Sequence, residues 1–260
     1  MRHLEEWSPV DLNLTDKTAV VTGAGRGIGL ATVRTLINEG IRVVGAARTI
    51  TPELKDTGAH TVSADLSTAD GVSALIEAAL TELGGIDLLV NNVGGGEATF
   101  GFLNSNDAEW TSVFDLNVLS AVRTTRSALP SLIERRGVIV NISSTTARMP
   151  ANAPASYSAA KAALTALGKS LAEEFGPRGV RVNTISPGLV RTSVYEGPAA
   201  AAGQNLDEFV QQIVKSQNIT TDRMTEAEEV ATLIAFLLSD VAANITGADY
   251  VIDGGGVKTV

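Results

Sequence analysis

Short apolar runs alternate with helical patterns along most of the chain. Seven runs have the length and composition of buried strands, at 18–21, 41–46, 61–64, 86–90, 138–142, 180–185 and 250–252. Between them, apolar residues at helical spacing predict helices over about 28–39, 68–83, 107–134 (broken or bent at Pro130), 155–175 and 226–238. The strands are apolar on both faces, which is typical of a parallel sheet covered by helices on both sides. The pattern therefore predicts an α/β fold with a doubly wound parallel sheet of about seven strands.

Composition excludes several classes of protein. A net charge of −9 and an isoelectric point near 4.8 argue against a nucleic-acid partner, which would need clustered Lys and Arg. Cysteine is absent, and two histidines, His3 and His60, are too few for a histidine-rich metal cluster or a Ser/His/Asp triad. The longest apolar run, 231–238, is too short to cross a bilayer. We expect a cytoplasmic protein with no metal, no nucleic-acid partner and no membrane partner.

Glycines follow the first predicted strand, in the stretch TGAGRGIG at 22–29. Glycine permits a tight turn there and lets backbone N–H groups approach a pyrophosphate at the start of the next helix. The spacing differs from GxGxxG, since three residues separate Gly23 from Gly27. Taken alone, the turn is also compatible with a plain strand-to-helix connection.

Five further motifs follow in order along the chain. They are NNVGG at 91–95, Asn117 in DLNV, Ser144 in NISS, Tyr157-Ser-Ala-Ala-Lys161, and Pro187-Gly188 with Thr192. Together with TGxxxGIG they resemble the classical short-chain dehydrogenase/reductase (SDR) family from about residue 14 to the C-terminus, with Val93 where the family has alanine. The resemblance implies a single Rossmann-type domain over 14–260, preceded by an N-terminal extension at 1–13. In that extension Trp7 either packs against a neighbouring subunit or is disordered.

The resemblance also implies hydride transfer between a nicotinamide cofactor and a carbonyl or secondary alcohol. Tyr157 would act as general acid or base, and Lys161, four residues along the same helix face, would lower the pKa of its phenol. Ser144, which precedes Tyr157 by 13 residues, would orient the carbonyl, with Ser143 as the alternative. Asn117 would hold a water that links Lys161 to solvent.

The end of the second strand bears on the choice of cofactor. NAD sites usually carry an acidic residue about 20 residues beyond the glycines, which bonds the ribose 2′-hydroxyl. Ala47 occupies that position, and Arg48 follows it, with Arg26 as a second cation inside the turn. Arginine suits a 2′-phosphate, so we expect NADP, with NAD the less favoured choice. The alternative is that either arginine faces solvent.

The resemblance assigns further cofactor contacts. These are Gly23, Gly27, Ile28 and Gly29 in the turn, Asp65 and Leu66 at the adenine, Asn92 and Gly94 at the ribose, Pro187, Gly188, Val190 and Thr192 at the nicotinamide, and Tyr157 and Lys161. Gly94 would leave room beside the cofactor, and Gly95 and Gly96 would extend that space toward the substrate.

By the same resemblance, residues 193–225 form a substrate lid and the protein is a homotetramer. Met149, Asn152 and Leu189 are candidates for the pocket wall, and Arg148 and Arg191 either meet an acidic substrate or lie on the surface. Two other functions stay open. One is an NAD-dependent alcohol dehydrogenase, and the other is a catalytically silent nucleotide-binding regulator on the same fold, against which the intact Ser144, Asn117, Tyr157 and Lys161 argue.

Overall fold

The structure is a computed structural model that describes residues 11–150 and 153–258. Its strands are β1 (Thr18–Thr22), β2 (Arg42–Ala47), β3 (His60–Ser63), β4 (Leu88–Asn91), β5 (Val138–Ile142), β6 (Arg181–Pro187), β7 (Val190–Arg191), β8 (Thr225–Glu226) and β9 (Asp249–Ile252). Its helices are α1 (Gly27–Asn38), α2 (Pro52–Lys55), α3 (Ala69–Leu83), α4 (Asp107–Phe114), α5 (Ser120–Glu134), α6 (Ala155–Phe175), α7 (Glu196–Ala201), α8 (Leu206–Ser216) and α9 (Ala227–Leu238). Trp7, Asn152 and most of the predicted N-terminal extension lie outside the described residues.

Seven strands form one parallel sheet in the order β3-β2-β1-β4-β5-β6-β9, which confirms the predicted fold. The strand order reverses between β1 and β4, because the chain adds β2 and β3 on one side of β1 and the later strands on the other. In open sheets of this kind, ligands bind beyond the carboxyl ends of the strands at such a reversal. The predicted site residues after β1 and β4 therefore lie at one edge.

Two apolar clusters cover the two faces of the sheet. One face packs against α1 and α9, with Val21, Leu36 and Ile234 among its buried residues. The other packs against α3, α5 and α6, with Leu75 and Leu132 among its buried residues. The sheet strands are apolar on both faces because both faces are covered.

None of the helices in the described ranges is long and apolar enough to span a membrane.

The helix ends follow local capping rules. Thr68 caps α3, since its hydroxyl accepts a hydrogen bond from the Gly71 N–H at 3.1 Å, and Gly84 ends the helix in the left-handed conformation at φ 73°. Asn205 caps α8 by accepting from the Glu208 N–H at 2.9 Å. The starts of α3 and α8 are therefore set by polar caps, and the end of α3 is set by a glycine.

The predicted helix over 107–134 is interrupted at a different place from the one expected. A π-helical turn at Asp115–Leu119 separates α4 from α5, whereas α5 continues through Pro130 to Glu134. At the turn, the Asn117 side chain donates to the Val113 carbonyl of α4 at 2.9 Å, and the Ser120 hydroxyl at the start of α5 donates to the Leu116 carbonyl at 2.5 Å. These side chains satisfy carbonyl groups where the regular helical pattern is lost. The helix is therefore not broken at Pro130, and the interruption lies at Asp115–Leu119 instead.

The segment 193–225 has more structure than its weak periodicity predicts. It contains α7 and α8, and its side chains form a third apolar cluster around Val210, Val214, Ile219 and Met224. Its two ends are joined by the pairing of β7 with β8. Beside β8, Arg223 donates two hydrogen bonds of 2.6 Å to the Glu229 carboxylate. The segment is therefore a separately packed unit that is fastened at its base.

Gly168→Ala should destabilise the protein, because a Cβ at Gly168 on α6 would lie 2.6 Å from Oγ1 of Thr184 on β6. Overpacking of this kind costs about 1–3 kcal/mol of unfolding free energy. Gly176→Ala, at the end of the same helix, is the matched control. A Cβ at Gly176 would meet no neighbouring side chain or strand within 4 Å, and the φ of −54° suits alanine. Urea unfolding measures both, and equal stability of the two variants would contradict the close packing of α6 on the sheet.

Candidate active site

Lys161 brings a charged group into the protein interior. Its side chain is nearly inaccessible to solvent, and Nζ donates a hydrogen bond of 3.0 Å to the carbonyl of Ile142 at the end of β5. Burial lowers the pKa of Lys161 from 10.5 to about 8, because the interior disfavours the charged form. Lys161 therefore stays mostly protonated at neutral pH, but it loses its proton more readily than an exposed lysine does.

Tyr157 lies one helical turn before Lys161, whose Nζ is 5.7 Å from the centre of the phenol ring. Burial raises the pKa of Tyr157, a hydrogen bond with Ser144 opposes the rise, and the nearby Tyr195 adds to it. The expected lowering of this pKa by the ammonium was therefore wrong for the structure as it stands. Nζ of Lys161 donates to the Ile142 carbonyl and faces the phenol ring, so burial of the ring determines the direction of the pKa shift of Tyr157.

The two candidate serines have different surroundings. The Ser143 hydroxyl donates to the Lys161 carbonyl at 2.9 Å and is 2.8 Å from the Thr165 hydroxyl, so it fastens β5 to α6. The Ser144 hydroxyl bonds Tyr157 and accepts from the Thr146 N–H at 3.2 Å. Geometry therefore favours Ser144 over Ser143 as the partner of Tyr157.

The Asn117 side chain is buried and its amide holds the glycine loop that follows β4. Oδ1 accepts from the Gly95 N–H at 3.0 Å, and Nδ2 donates to the Gly95 carbonyl at 2.8 Å. A Cβ at Gly94 would lie 2.6 Å from Lys161 Nζ and 3.0 Å from Asn117 Oδ1. Glycine at position 94 therefore makes room for the Lys161 and Asn117 side chains. The sequence had indicated only that it leaves room for the cofactor.

The asparagine pair after β4 ties strands together. Asn91 donates to the Asn141 side chain on β5 at 2.9 Å and to the Thr125 hydroxyl on α5 at 3.0 Å. Asn92 donates through Nδ2 to the carbonyl of Thr22 at 2.9 Å, and its backbone N–H donates to the Thr22 hydroxyl at the same distance. The pair therefore fixes the relative positions of β1, β4 and β5 at the edge where the site lies.

The glycine turn lies beside this asparagine pair. Gly23 and Gly27 have φ values of 66° and 54°, in the left-handed region that favours glycine. A Cβ at Gly29 would clash with the Gly23 carbonyl, and one at Gly27 would lie 3.1 Å from the Thr192 methyl group. Helix α1 begins at Gly27 with no side-chain cap on its first N–H groups. This is the cradle that a pyrophosphate fits, because those N–H groups and the helix dipole both favour an anion.

The two arginines expected to read a phosphate are both exposed. Within the described ranges, neither the Arg26 nor the Arg48 side chain has a hydrogen bond or a salt bridge. Arg48 follows β2, and its charge contributes to lowering the pKa of Asp65, which is lowered chiefly by hydrogen bonds from Ser67. Ala47 faces the turn, since its Cβ is 3.2 Å from the position of a Cβ on Gly25. The end of β2 is therefore bordered by the two arginines, and position 47 itself carries no carboxylate.

The other predicted cofactor residues differ in what they present. The Leu66 and Val190 side chains are buried, so their backbone groups are what can face a ligand, whereas Ile28 is partly buried and packs against the core. Pro187 ends β6, and the Gly188 N–H donates to the Ile252 carbonyl at 3.0 Å. Thr192 stands over the glycine turn beside a cleft of about 590 Å³ that Arg26 and Gly27 also line.

The predicted pocket residues are only partly brought together. Arg148 donates to the Asp249 carboxylate at 2.8 and 3.0 Å, and Arg191 pairs with Asp207, so both arginines form surface salt bridges. Leu189 packs against the apolar cluster of the 193–225 segment, whereas Met149 is half-buried beyond β5.

No group of acidic or histidine side chains able to hold a metal occurs among residues 11–150 and 153–258.

Comparison with known proteins agrees with this geometry. The family model described as Enoyl-(Acyl carrier protein) reductase matches residues 23–256. The chain belongs to the short-chain dehydrogenase/reductase family. It is 38% identical to the uncharacterized oxidoreductase YvrD of Bacillus subtilis over 96% of this chain and 100% of that protein. It is 32% identical to the 3-oxoacyl-[acyl-carrier-protein] reductase FabG of Vibrio cholerae, over 94% and 98%.

A solved structure shares the whole SDR fold. L-sorbose reductase from Gluconobacter frateurii, in complex with NADPH and L-sorbose, superposes with a TM-score of 0.89 at 32% identity, covering 96% of this chain and all of that one. The chain is thus an SDR-type oxidoreductase that acts on carbonyl or alcohol groups.

Sequence reasoning missed two residues of this SDR site. Thr22 accepts at its hydroxyl from the N–H groups of Asn92 and Val93, at 2.9 and 3.1 Å. Its place directly before the glycine turn was the available signal. Tyr195, half-buried in the 193–225 segment, lies near Tyr157, and burial raises its own pKa. No local pattern indicates that contact, because the two tyrosines are far apart in the chain.

Lys161→Met should change how stability depends on pH. Because the pKa of Lys161 is about 8 in the folded protein and 10.5 as the ordinary value, the unfolded chain binds the proton more tightly between those values. The wild type should therefore gain unfolding free energy relative to the variant as the pH rises through that range, by on the order of 3 kcal/mol. Urea unfolding on both sides of the range measures this, with the exposed Lys169→Met as control. Parallel curves for Lys161→Met and wild type would show that the ammonium is not desolvated.

Proposed function

We propose that this SDR is an NADP-dependent oxidoreductase that interconverts a carbonyl and a secondary alcohol, with Tyr157 as general acid or base. The observation that carries the proposal is the hydrogen bond between Ser144 and Tyr157 beside the buried Lys161. These three side chains lie at the same edge of the sheet as the glycine cradle at the start of α1. NADP(H), when bound, supplies or accepts the hydride.

The raised pKa of Tyr157 supports a role as the acid in reduction. A phenol that keeps its proton in the resting site can deliver it to the oxygen of a ketone as negative charge develops there. Ser144 donates a hydrogen bond to the same oxygen and stabilises that charge. Lys161 holds a positive charge next to the phenol, so the phenolate left behind is stabilised and can be reprotonated.

Asn117 acts in this proposal by holding the loop at Gly95 in place. Its side-chain amide already makes three hydrogen bonds to the backbone, at 2.8, 2.9 and 3.0 Å. The proposed water that links Lys161 to solvent would therefore meet the remaining lone pair of Oδ1 or nearby backbone groups. The remaining assignments from the sequence, including the lid and the homotetramer, stay predictions.

The preference for NADP rests on Arg26, Arg48 and Ala47. A guanidinium without a salt bridge is available for phosphate oxygens, and the absence of a carboxylate at position 47 removes the usual acceptor for the ribose 2′-hydroxyl. The cofactor in the L-sorbose reductase complex is NADPH, which supports the same choice here.

Tyr157→Phe should lower kcat for ketone reduction by roughly 10²–10⁴-fold, because the acid that protonates the oxygen is lost. Cofactor affinity, measured by fluorescence titration with NADPH, should be nearly unchanged, since the ring remains in place. Retained turnover in this variant would show that another group supplies the proton.

Arg48→Asp should weaken NADPH binding far more than NADH binding. Loss of a charge-assisted bond to phosphate costs about 1.5–3 kcal/mol, which is roughly a 10-fold or larger rise in Kd. Paired titrations with NADPH and NADH measure the difference. Lys17→Asp, which makes the same charge change just before β1 at the opposite edge of the sheet, is the control. Equal weakening of both cofactors by Arg48→Asp would refute the assignment.

A further inference from the structure

Helices α4, α8 and α9 each carry a glutamate at the third helical position, and the glutamates of α4 and α9 behave differently. In α9, the Glu229 carboxylate accepts from the N–H of the capping residue Glu226 at 2.8 Å, as in an ordinary capping box. In α4, Asn106 caps the helix by accepting from the Glu109 N–H at 3.0 Å. The Glu109 carboxylate, however, turns away from its own cap.

One oxygen of Glu109 joins two other parts of the chain. Oε1 accepts from the Thr99 N–H at 3.2 Å and from the Ser156 hydroxyl at 2.9 Å. Thr99 lies in the loop between β4 and α4, which begins at the glycines held by Asn117. Ser156 is 1% exposed and immediately precedes Tyr157 in the first turn of α6. Glu109 therefore connects the loop to the helix that carries Tyr157.

The start of α6 lacks the features that usually stabilise a helix end. Its capping residue is Pro154, which provides no side-chain hydrogen bond, and the first turn at 155–158 contains no acidic residue. A negative charge near the first turn is favourable because it complements the helix dipole. Glu109 supplies that charge from a different helix, through Ser156.

The loop on the other side of Glu109 continues from Gly95, which Asn117 holds, and is apolar at its tip. Phe100 and Phe102 are each more than two-thirds exposed. Its far end is fastened to α4 as well, since Trp110 donates through its ring nitrogen to the Ser105 hydroxyl at 3.2 Å and meets the Phe102 ring edge-on. The loop is thus held at Gly95, Thr99 and Ser105, and Thr99 is the point that also reaches α6.

We propose that Glu109 is a positioning residue. By bonding both Thr99 and Ser156, it fixes the position of the 97–105 loop relative to Tyr157, with the substrate bound between them. The inference rests on the proposed function, because it assigns the loop to the substrate side of Tyr157. Most of the effect of Glu109 is expected to come from its two accepted hydrogen bonds, and its charge adds a smaller part. Glutamine can accept both bonds with its own Oε1, whereas alanine can accept neither.

Four variants test this proposal. Glu109→Ala removes both bonds, Glu109→Gln keeps an acceptor without the charge, and Ser156→Ala removes one bond from the other side. Asp107→Ala is the matched control, because Asp107 lies in the same first turn of α4 and its side chain contacts neither partner. For each variant, kcat and KM for a ketone, the Kd for NADPH and the free energy of unfolding are measured.

Glu109→Ala should lower kcat by roughly 10- to 100-fold, as expected when a reacting group is displaced, with NADPH affinity unchanged. Glu109→Gln should recover most of that loss. Ser156→Ala should lower kcat partially, and the double variant should be no slower than Glu109→Ala, because both changes remove the same connection. Wild-type kcat in Glu109→Ala, or an equal loss in Glu109→Gln, would overturn the proposal.

Amide hydrogen exchange provides a readout that does not depend on turnover. Glu109→Ala should speed exchange in both the 97–105 loop and the first turn of α6, and Asp107→Ala should speed neither. If Glu109→Ala fails to fold, the same pattern is expected in Ser156→Ala. If the wild type reduces no ketone, the proposed function fails while the exchange result still decides whether Glu109 couples the two segments. Unchanged exchange in α6 would overturn the coupling.

Discussion

The buried ammonium of Lys161 imposes the tightest constraint in the site. A charge in the interior is costly unless it has partners, and Lys161 has the Ile142 carbonyl and the face of the Tyr157 ring. To reach them, α6 must lie close against β5, and the loop after β4 must pass without a side chain at Gly94. Lys161 therefore constrains three neighbouring parts of the chain. These are the end of β5, the glycine loop after β4 and the π-helical turn that holds Asn117.

Hydrophobic patterning was sufficient to predict the sheet and its layers, because both faces of every central strand are buried. The seven predicted strands match β1 to β6 and β9 within about two residues. The pattern did not indicate the π-helical turn at 115–119, since that turn depends on the Asn117 side chain bonding the helix backbone. It also gave no sign of the β7–β8 pair, whose two residues per strand are too few to show periodicity.

The motifs predicted the residues of the candidate site but not the environment of each side chain. Tyr157 and Lys161 were predicted to share a helix face, and they do. The sign of the phenol pKa shift was not predictable, because it depends on how deeply the ring is buried and on where Nζ points. Glu109 was not identified at all. Its spacing from Asn106 indicates an ordinary helix cap, and only the folded chain reveals that its carboxylate reaches Ser156.

The position of Asn117 depends on the π-helical turn at Asp115–Leu119, and this turn is sensitive to the length of the chain. A turn of this type is equivalent to one extra residue accommodated within a continuous helix. Deleting a single residue there would let α4 and α5 merge into one regular helix, with the flanking faces still in register. The sheet and both apolar layers would survive, while Asn117 would rotate away from Gly95. A change in helix length of one residue would thus remove the hydrogen bonds by which Asn117 holds the loop at Gly95.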